Sequence, residues 1–359
     1  MLNNEFTKLL KIDYPILQAP MAGGVTTPEL AAAVSNAGGL GMIGAGYLSP
    51  EQLKVQIQNV KALTEKPFGV NLFVPVPYSV DEQKVQSSKE MLKQIEAELG
   101  IDENSSSFSN YEKDTETFQR MVNIVIDEKV PICSFTFGIP SEDIRTKLKK
   151  NSSIIIGTAT TVQEAIWNEE AGMDAVVVQG SEAGGHRGTF SGEDQQSLIG
   201  LMSLIPQSAD YISIPIIAAG GIMDGRGLLA AQFLGAQAVQ MGTAFLVCEE
   251  SGANQLHKEA ILKAKEDQVV MTKTFSGKMA RGVKNRFIEK LHANEDHLPD
   301  YPVQNALTKS IRKAAAQSKN PDYMSLWSGQ SPRMASQTTA GQLIENIVNE
   351  SLKLKNTFS

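Results

Sequence analysis

The stretch from Val176 to Gly188 carries the residue types best suited to catalysis in this chain. It contains His186 and Arg187 among four glycines, directly after an apolar run. Histidine can move protons near neutral pH, and glycine lets backbone approach a flat ligand closely. A lone histidine is more often structural, but these surroundings favour function, and we predict that His186 is catalytic. No histidine has a second ligand at metal-binding spacing, so no metal site is predicted.

Two later glycine turns have the composition of phosphate-binding loops. Each follows an apolar run and leads into a helical segment, which offers free backbone N–H groups to an anion. In a barrel of eight parallel strands, the loops after strands seven and eight are the usual phosphate site. Two ordinary turns are the alternative. The residues predicted to hold the phosphate group and its neighbourhood are Ala218, Gly220, Gly221, Gln240, Met241, Gly242 and Thr243.

A third glycine motif, Gly39-Leu-Gly41-Met-Ile-Gly44, matches the spacing of dinucleotide-binding loops. Such a loop needs a strand before it and a helix starting on it. Here the helical pattern comes first and the strand pattern follows. The glycines are therefore predicted to allow close helix–strand packing.

Small and amide side chains at other predicted strand ends complete the candidate site. Ala19, Pro20 and Met21 follow the first strand, Asn71 ends the third and Gln179 ends the sixth. An amide can both donate and accept hydrogen bonds, which suits the edge of a heterocycle such as a flavin. Gly184 and Gly185 lie in the histidine loop, residues 180–191, which carries His186. Together with these glycines, the residues above are predicted to bind a cofactor.

The elements that must position these residues are short apolar runs alternating with helical patterns. Continuous apolar runs are typical of strands covered on both faces, as in a parallel sheet. We predict a (β/α)8 TIM barrel over residues 13–247, with a doubly wound sheet as the alternative. The predicted strands are Ile16–Gln18, Leu40–Ile43, Phe68–Leu72, Ile132–Phe135, Ile154–Ile156, Ala175–Gln179, Ile214–Ala219 and Ala238–Met241.

Two regions do not fit the alternation of strands and helices. Residues 78–118 form an insertion after the third strand, with a predicted helix at Asp81–Leu99 and a mobile loop around Ser105–Ser107. A lid over the barrel and a solvated insertion are both compatible with this composition. Residues 248–359 are predicted to be a mostly helical C-terminal extension packed on the barrel.

Composition excludes several classes of protein. With 359 residues, 42% hydrophobic, the chain can build a large core, and its net charge of −7 gives no general footprint for nucleic acid or an anionic membrane. Two cysteines provide no disulfide framework, which favours a reduced, cytoplasmic setting. No targeting or membrane-spanning segment is predicted. A homodimer is compatible with the sequence.

Six motifs spread over nearly the whole chain resemble those of nitronate monooxygenases, which are FMN-dependent (β/α)8 enzymes. The motifs are Gln18-Ala-Pro-Met-Ala-Gly-Gly24, Ser134-Phe-Thr-Phe-Gly-Ile-Pro140, Ala183-Gly-Gly-His-Arg-Gly188, Ala218-Ala-Gly-Gly-Ile-Met-Asp-Gly225, Lys278-Met-Ala-Arg-Gly282 and Leu326-Trp-Ser-Gly-Gln330. The resemblance implies that Asn71, Gln179, Gly184, Gly221 and Gln240–Thr243 contact FMN. It also implies that His186 is the active-site histidine.

The activity implied by the resemblance is oxidation of a small alkyl nitronate with O2. One electron would pass to FMN, giving a flavin semiquinone, and a carbonyl compound and nitrite would form. His186 would position the nitro group or take the α-proton of a nitroalkane, and in protonated form it would stabilise the anionic substrate. Arg187 would add positive potential or lie at the surface.

Two alternatives remain at this stage. The first is an FMN-dependent enoyl-acyl-carrier-protein reductase, which shares the barrel and the Gly-Gly-His loop. The Ser134-Phe-Thr-Phe-Gly stretch and Arg187 point away from it. Lys278, Arg281 and Lys284 form a basic cluster that is compatible with a carrier protein but more typical of a helix face. The second alternative is a flavin-binding protein without enzymatic activity.

Overall fold

Eight parallel strands form the centre of the molecule in the computed structural model, which describes residues 2–101, 108–192 and 194–357. Their order around the sheet is β1-β9-β8-β6-β5-β4-β3-β2, and a parallel bridge between Leu17 and Leu40 closes β1 against β2. The predicted (β/α)8 barrel is therefore confirmed. The barrel strands are β1 Ile16–Gln18, β2 Gly41–Gly44, β3 Phe68–Phe73, β4 Ile132–Thr136, β5 Ile154–Ala159, β6 Ala175–Gln179, β8 Ile216–Ala219 and β9 Ala238–Met241.

The predicted strands differ from the observed ones only at their ends. The strand predicted at Ile214 begins at Ile216, after Pro215, which has no N–H to donate to a ladder. The strand predicted at Leu40 begins at Gly41.

Three short strands outside the barrel make a second sheet. They are β7 Gly185–His186, β10 Val269–Thr272 and β11 Ala280–Val283, paired antiparallel in the order β10-β11-β7. This sheet was not predicted from the sequence. It ties the C-terminal region directly to the histidine loop.

Helices cover the outside of the barrel and fill the C-terminal region. Their bounds are α1 Glu5–Leu10, α2 Pro28–Asn36, α3 Pro50–Leu63, α4 Glu82–Glu98, α5 Tyr111–Asp127, α6 Glu142–Lys150, α7 Val162–Glu170, α8 Leu201–Tyr211, α9 Gly225–Phe233, α10 Thr243–Leu246, α11 Gln255–Lys263, α12 Arg286–Leu291, α13 Val303–Leu307, α14 Lys309–Gln317 and α15 Ala340–Thr357. Among them, α1 packs Phe6 and Leu10 against the apolar side chains inside the barrel, such as Val177 and Ile217.

The start of α2 carries the usual signals of a helix N-terminus. Thr27 caps α2 and accepts a hydrogen bond from the Leu30 N–H, with Pro28 at the first helical position. The glycine motif at residues 39–44 follows this helix and enters β2, as predicted. A Cβ built at Gly41 would lie 1.9 Å from the Ala31 carbonyl oxygen, so glycine is required there for helix–strand packing.

The predicted insertion holds the expected helix, observed as α4 with Asp81 as its N-cap. Its residues Val85, Leu92 and Ile95 pack in a separate core with apolar residues of the C-terminal region. The predicted loop at Ser105–Ser107 lies outside the described residues. Helix α5 instead joins the core of the barrel through Phe118, Met121 and Val122.

The region after β9 consists of two parts. Helix α15 packs Leu343, Ile344 and Ile347 in the outer core of the barrel, together with α2 and α9. It thus takes the place of the barrel's last helix. Residues 248–339 form the other part, which carries β10, β11 and several short helices. No helix in the described ranges is long and apolar enough to cross a membrane.

Candidate active site

The backbone of the histidine loop is held from two sides at the mouth of the barrel. His186 lies in β7, opposite Ala280 of β11, and the Arg187 N–H donates to the Met279 carbonyl at 2.9 Å. On the barrel side, the Gln179 amide donates to the His186 carbonyl at 3.0 Å and accepts from the Gly188 N–H at 2.8 Å. The loop therefore bridges the barrel and the C-terminal region.

The His186 ring is surrounded by groups to which sequence reasoning gave no role. Its Nε2 lies 2.8 Å from the Ser276 hydroxyl. The ring centroids of Phe137, Tyr301 and Trp327 lie 6.2, 6.0 and 5.3 Å from that of His186. Phe137, Tyr301 and Trp327 come from three distant parts of the chain, so only the fold reveals this aromatic enclosure.

The enclosure determines the charge of His186. Burial lowers its pKa to about 3, and the nearby positive charges of Lys278 and Arg312 contribute in the same direction. His186 is therefore neutral at physiological pH. This shift does not favour the expected stabilisation of an anion by a protonated His186, and that role stays a prediction.

Arg187 is a structural residue and is completely buried. Its guanidinium donates to the carbonyls of Gly180 at 2.6 Å, Gln179 at 2.8 Å and Ser197 at 2.7 Å. Burial lowers its pKa to about 10, although Glu164 and Glu182 act against that shift. The buried position does not fit the suggested surface role, and the two terminal nitrogens of the guanidinium fix the loop.

Glu164 anchors the far end of the same loop. Its buried carboxylate accepts from the N–H groups of Phe190 at 2.8 Å and Ser191 at 3.0 Å, and from the Thr160 N–H at 2.6 Å. The hydroxyls of Thr160 and Ser191 donate as well, at 2.7 and 3.1 Å. The spacing Thr161-Val-Gln-Glu164 is that of a capping box, but only half of one forms: the Glu164 N–H donates to Thr161, while the Glu164 side chain holds the loop.

The loops predicted to bind the cofactor come from neighbouring strands. The Ala19 N–H donates to the Met241 carbonyl, and the Gly180 N–H donates to the Ala219 carbonyl, each at 2.9 Å. Because β1, β9, β8 and β6 are adjacent in the sheet, the residues that follow them lie along one side of the mouth. Those residues include Ala19, Pro20, Met21, Gly242 and Thr243.

Positive φ values require glycine at several positions of these loops. Gly220 and Gly221 have φ values of +141° and +64°, which disfavour any side chain. Gly185 has a φ of +71°, and a Cβ built on it would meet nothing within 4 Å. Ala218 and Met241 are placed differently, since their side chains pack in the outer core and only their backbone could face a ligand.

Asn71 stands on the opposite wall of the barrel. Its amide donates to the hydroxyls of Ser134 at 2.9 Å and Thr136 at 3.1 Å, and the side chain is buried. The two strands between β3 and β6 separate Asn71 from Gln179 in the sheet order. The predicted amides therefore face the mouth from opposite sides.

The segment Leu326–Gln330 covers the glycine loops. The Gly329 N–H donates to the Thr243 hydroxyl at 2.8 Å, and the Gln330 N–H donates to the Glu182 carbonyl at 2.9 Å. A Cβ built at Gly184 would lie 2.5 Å from the Gly329 nitrogen, so this contact requires glycine at 184. The sequence singled out this segment only as a motif, without indicating its position.

A cavity of about 1260 Å³ adjoins the histidine enclosure. Phe137, Tyr301 and Lys278 line it, together with Phe73 and Thr189. None of the residues predicted to bind the cofactor lines this cavity. The cofactor loops and the cavity are therefore distinct spaces, with the His186 loop near both. In the described part of the chain, no cluster of three or more His, Cys, Asp or Glu side chains could hold a metal.

Comparison with known proteins identifies the family. The family model described as nitronate monooxygenase matches residues 3–350. The chain belongs to the nitronate monooxygenase family. It is thus a member of a family of flavin-dependent oxidoreductases, and the predicted family and enzyme class are confirmed.

Relatives of this nitronate monooxygenase family member match over their full length. A probable nitronate monooxygenase of Staphylococcus haemolyticus is 53% identical, over 97% of both chains. The crystal structure of a nitroalkane oxidase from Streptomyces ansochromogenes has a TM-score of 0.91 at 38% identity, covering 99% of both chains. The structure of FabK from Thermotoga maritima has a TM-score of 0.79 at 32% identity, covering 100% of this chain and 99% of that one.

Proposed function

We propose that this chain uses FMN and O2 to oxidise small alkyl nitronates to carbonyl compounds and nitrite. The observation that carries the proposal is the placement of His186 between glycine-lined loops on one side and an aromatic cavity on the other. The loops are suited to a phosphate-bearing cofactor, and the cavity is suited to a small organic substrate. Similarity to a nitroalkane oxidase supports the same chemistry.

The residues present fit FMN. A Cβ at Gly242 would meet only the Ala19 Cβ, at 3.6 Å, so the backbone of that turn is open to an approaching phosphate. Gly220 and Gly221 have positive φ values and are packed more closely, with a built Cβ 3.1 Å from the nearest protein atom in each case. Thr243 accepts one hydrogen bond from Gly329 and keeps its own hydroxyl proton to donate. Asn71 and Gln179 are the residues that would help to hold the flavin ring. When bound, FMN supplies an electron acceptor.

His186 would act as a neutral imidazole. The Ser276 hydroxyl lies 3.1 Å from the Lys278 carbonyl, to which it can donate, and 2.8 Å from Nε2, from which it can accept. This arrangement protonates Nε2 and leaves Nδ1 able to accept a proton. We assign His186 two roles: it orients a bound nitronate, and it takes the α-proton when a neutral nitroalkane binds. The aromatic enclosure excludes water from that transfer.

Anaerobic stopped-flow spectroscopy tests the proposed reaction. The FMN-loaded protein is mixed separately with ethyl nitronate and with NADPH. We expect ethyl nitronate to reduce the flavin by one electron and NADPH to leave it oxidised. Full two-electron bleaching by NADPH would instead support the enoyl reductase. A flavin that responds to neither compound would support a flavin-binding protein without this activity.

The variant His186→Asn tests the role of the imidazole. We expect turnover of nitroethane to fall by about 100-fold or more, because general-base catalysis contributes on that order. Turnover of ethyl nitronate, which has already lost its α-proton, should fall much less. Equal losses with the two substrates would remove the proton-transfer role and leave only an orienting one.

A further inference from the structure

Lys278 is an unusual charge in the wall of the cavity. Its side chain is half-buried, its ammonium donates to the Thr189 carbonyl at 3.0 Å, and it lies 5.0 Å from the centroid of the Phe137 ring. No carboxylate of the described residues lies within ion-pair distance of it. The predicted helix face is wrong for this residue, because Lys278 lies in the turn between β10 and β11.

The other basic groups near the cavity are already occupied or exposed. Lys273 forms an ion pair with Asp194 at 2.8 Å. Arg312 does not line the cavity, and one of its guanidinium nitrogens donates to the backbone and side-chain oxygens of Asn305, each at 2.8 Å. Lys309 and Lys313 also line the cavity, but they are exposed, so water and salt screen their charges. With His186 neutral, Lys278 is the half-buried cation in the described cavity lining that forms no ion pair.

The position of Lys278 is fixed by the loop that carries His186. Thr189, which accepts the Lys278 hydrogen bond, directly precedes Phe190 and Ser191, and Glu164 holds the N–H groups of both. On its other side, the backbone of Lys278 contacts the Ser276 hydroxyl that meets His186. The ammonium has three protons, and one is used by Thr189, so two remain for a ligand.

We propose that Lys278 binds the negatively charged oxygen atoms of the substrate and selects small monoanions over neutral molecules of the same shape. The inference rests on the proposed function and specifies its substrate class. A nitronate carries its charge on two oxygens, as a carboxylate does. An ammonium beside apolar rings attracts such an anion more strongly than a solvated lysine can, because less water screens the charge. The neutral nitroalkane gains much less from the same contact.

The test compares an anion with a neutral isostere in the FMN-loaded protein. Propionate and propionamide are titrated, and the dissociation constant of each is read from the change in the flavin spectrum. We expect Lys278→Met to weaken propionate binding by about tenfold or more, the effect of losing a charge-assisted hydrogen bond, and to change propionamide binding by less than about twofold. Lys278→Arg should retain most of the affinity for propionate.

Lys284→Met is the matched control. Lys284 follows β11, and its ammonium forms an ion pair with Glu289 at 3.2 Å outside the cavity lining. The Lys284→Met variant loses the same charge as Lys278→Met but leaves the cavity unchanged. Its propionate binding should therefore stay within about twofold of the wild type. Equal weakening of propionate by both variants would indicate a general charge effect and overturn the inference.

Kinetics separate this inference from the proposed function. In Lys278→Met, the KM for ethyl nitronate should rise about tenfold or more, and that for nitroethane should change little. If the wild type turns over neither substrate, the proposed function fails while the propionate titration still decides the role of Lys278. A wild type that binds propionate no better than propionamide, or a Lys278→Met variant with unchanged preference, would overturn the inference.

Discussion

The barrel wall and the C-terminal wall of the site differ in what they contribute. The barrel wall consists of loops and amides at strand ends, represented by Gln179 and the Gly220–Gly221 turn. The C-terminal wall consists of Ser276, Lys278, Tyr301 and Trp327, which supply a hydroxyl, a charge and aromatic rings around His186. We propose that the barrel wall provides cofactor binding and the C-terminal wall provides substrate recognition. The predictions below test this division.

The largest effect is expected at Glu164, the barrel residue that anchors the histidine loop between the two walls. Glu164→Ala leaves the N–H groups of Thr160, Phe190 and Ser191 without their buried acceptor. Each unsatisfied buried donor costs about 1–3 kcal/mol, so we expect the free energy of unfolding to fall by about 3 kcal/mol or more. Urea denaturation monitored by circular dichroism measures the change.

Glu142→Ala is the control for that prediction, because Glu142 is an exposed residue in the first turn of α6. Its loss should lower the free energy of unfolding by at most about 1 kcal/mol, because the carboxylate interacts only with the helix dipole. Similar losses in the two variants would show that the Glu164 carboxylate does not anchor the loop.

A second prediction concerns the barrel wall alone. Gln179→Leu keeps the approximate volume of the side chain but removes both hydrogen bonds to the histidine loop, those with His186 and Gly188. We expect the dissociation constant of FMN to rise by about tenfold to a hundredfold, the equivalent of one or two lost buried hydrogen bonds. Quenching of FMN fluorescence on binding provides the measurement. Unchanged affinity would mean that the barrel wall does not hold the cofactor through this loop.

In the C-terminal wall, a substitution should lower turnover and leave the affinity for FMN unchanged. Ser276→Ala removes the hydroxyl that contacts His186 Nε2 at 2.8 Å. We expect turnover of nitroethane to fall by about fivefold to tenfold, as for one lost orienting hydrogen bond, with the affinity for FMN unchanged within about twofold. Steady-state kinetics and the same FMN titration measure the two quantities. A loss of FMN affinity here would contradict the division between the walls.

The smallest effect is expected in the pH dependence of nitronate oxidation. Because the pKa of His186 is lowered to about 3, its charge is constant above about pH 5, and kcat/KM should show no ionisation of this residue between about pH 5 and 8. An acid limb near pH 6.5 that His186→Asn abolishes would show that the enclosure does not desolvate the imidazole.

The same pKa affects folding stability at low pH. The unfolded chain binds a proton to His186 near pH 6.5, whereas the folded chain binds it only near pH 3. The contribution of this histidine to stability is therefore present above about pH 6.5 and is lost as the pH falls toward 3. As the pH falls from 6.5 toward 3, the urea midpoint of the wild type should decrease more than that of His186→Asn. The variant should therefore gain stability relative to the wild type in acid.

Sequence patterns predict the barrel wall well, because each of its residues lies at a strand end or a helix start with a local signal. The apolar runs gave all eight strands within two residues at their starts, and the glycine turns lie where parallel strands end. The positions of Asn71 and Gln179 on opposite sides follow from strand order. Their roles in binding FMN remain predictions.

The C-terminal wall lacks such signals. The strand β7 has only two residues, and its partner β11 is far away in the chain, so no local pattern indicates the pairing. Lys278 resembles an ordinary surface residue until the turn that carries it is placed beside Phe137. The neutral state of His186 depends on Tyr301 and Trp327, which reach the site only through tertiary packing. The burial of Arg187 has the same origin.

The pairing of β7 with β11 also has a consequence for synthesis on the ribosome. His186 and Ala280 are partners in this small sheet although 94 positions separate them in the chain. A nascent chain that has just completed the eighth barrel strand still lacks Ser276, Lys278 and Trp327. Helix α15, which completes the outer layer beside α2 and α9, follows later still. We therefore expect chains terminated before residue 340 to yield no partly active enzyme, since residues 248–357 supply one wall of the candidate site and close the fold around it.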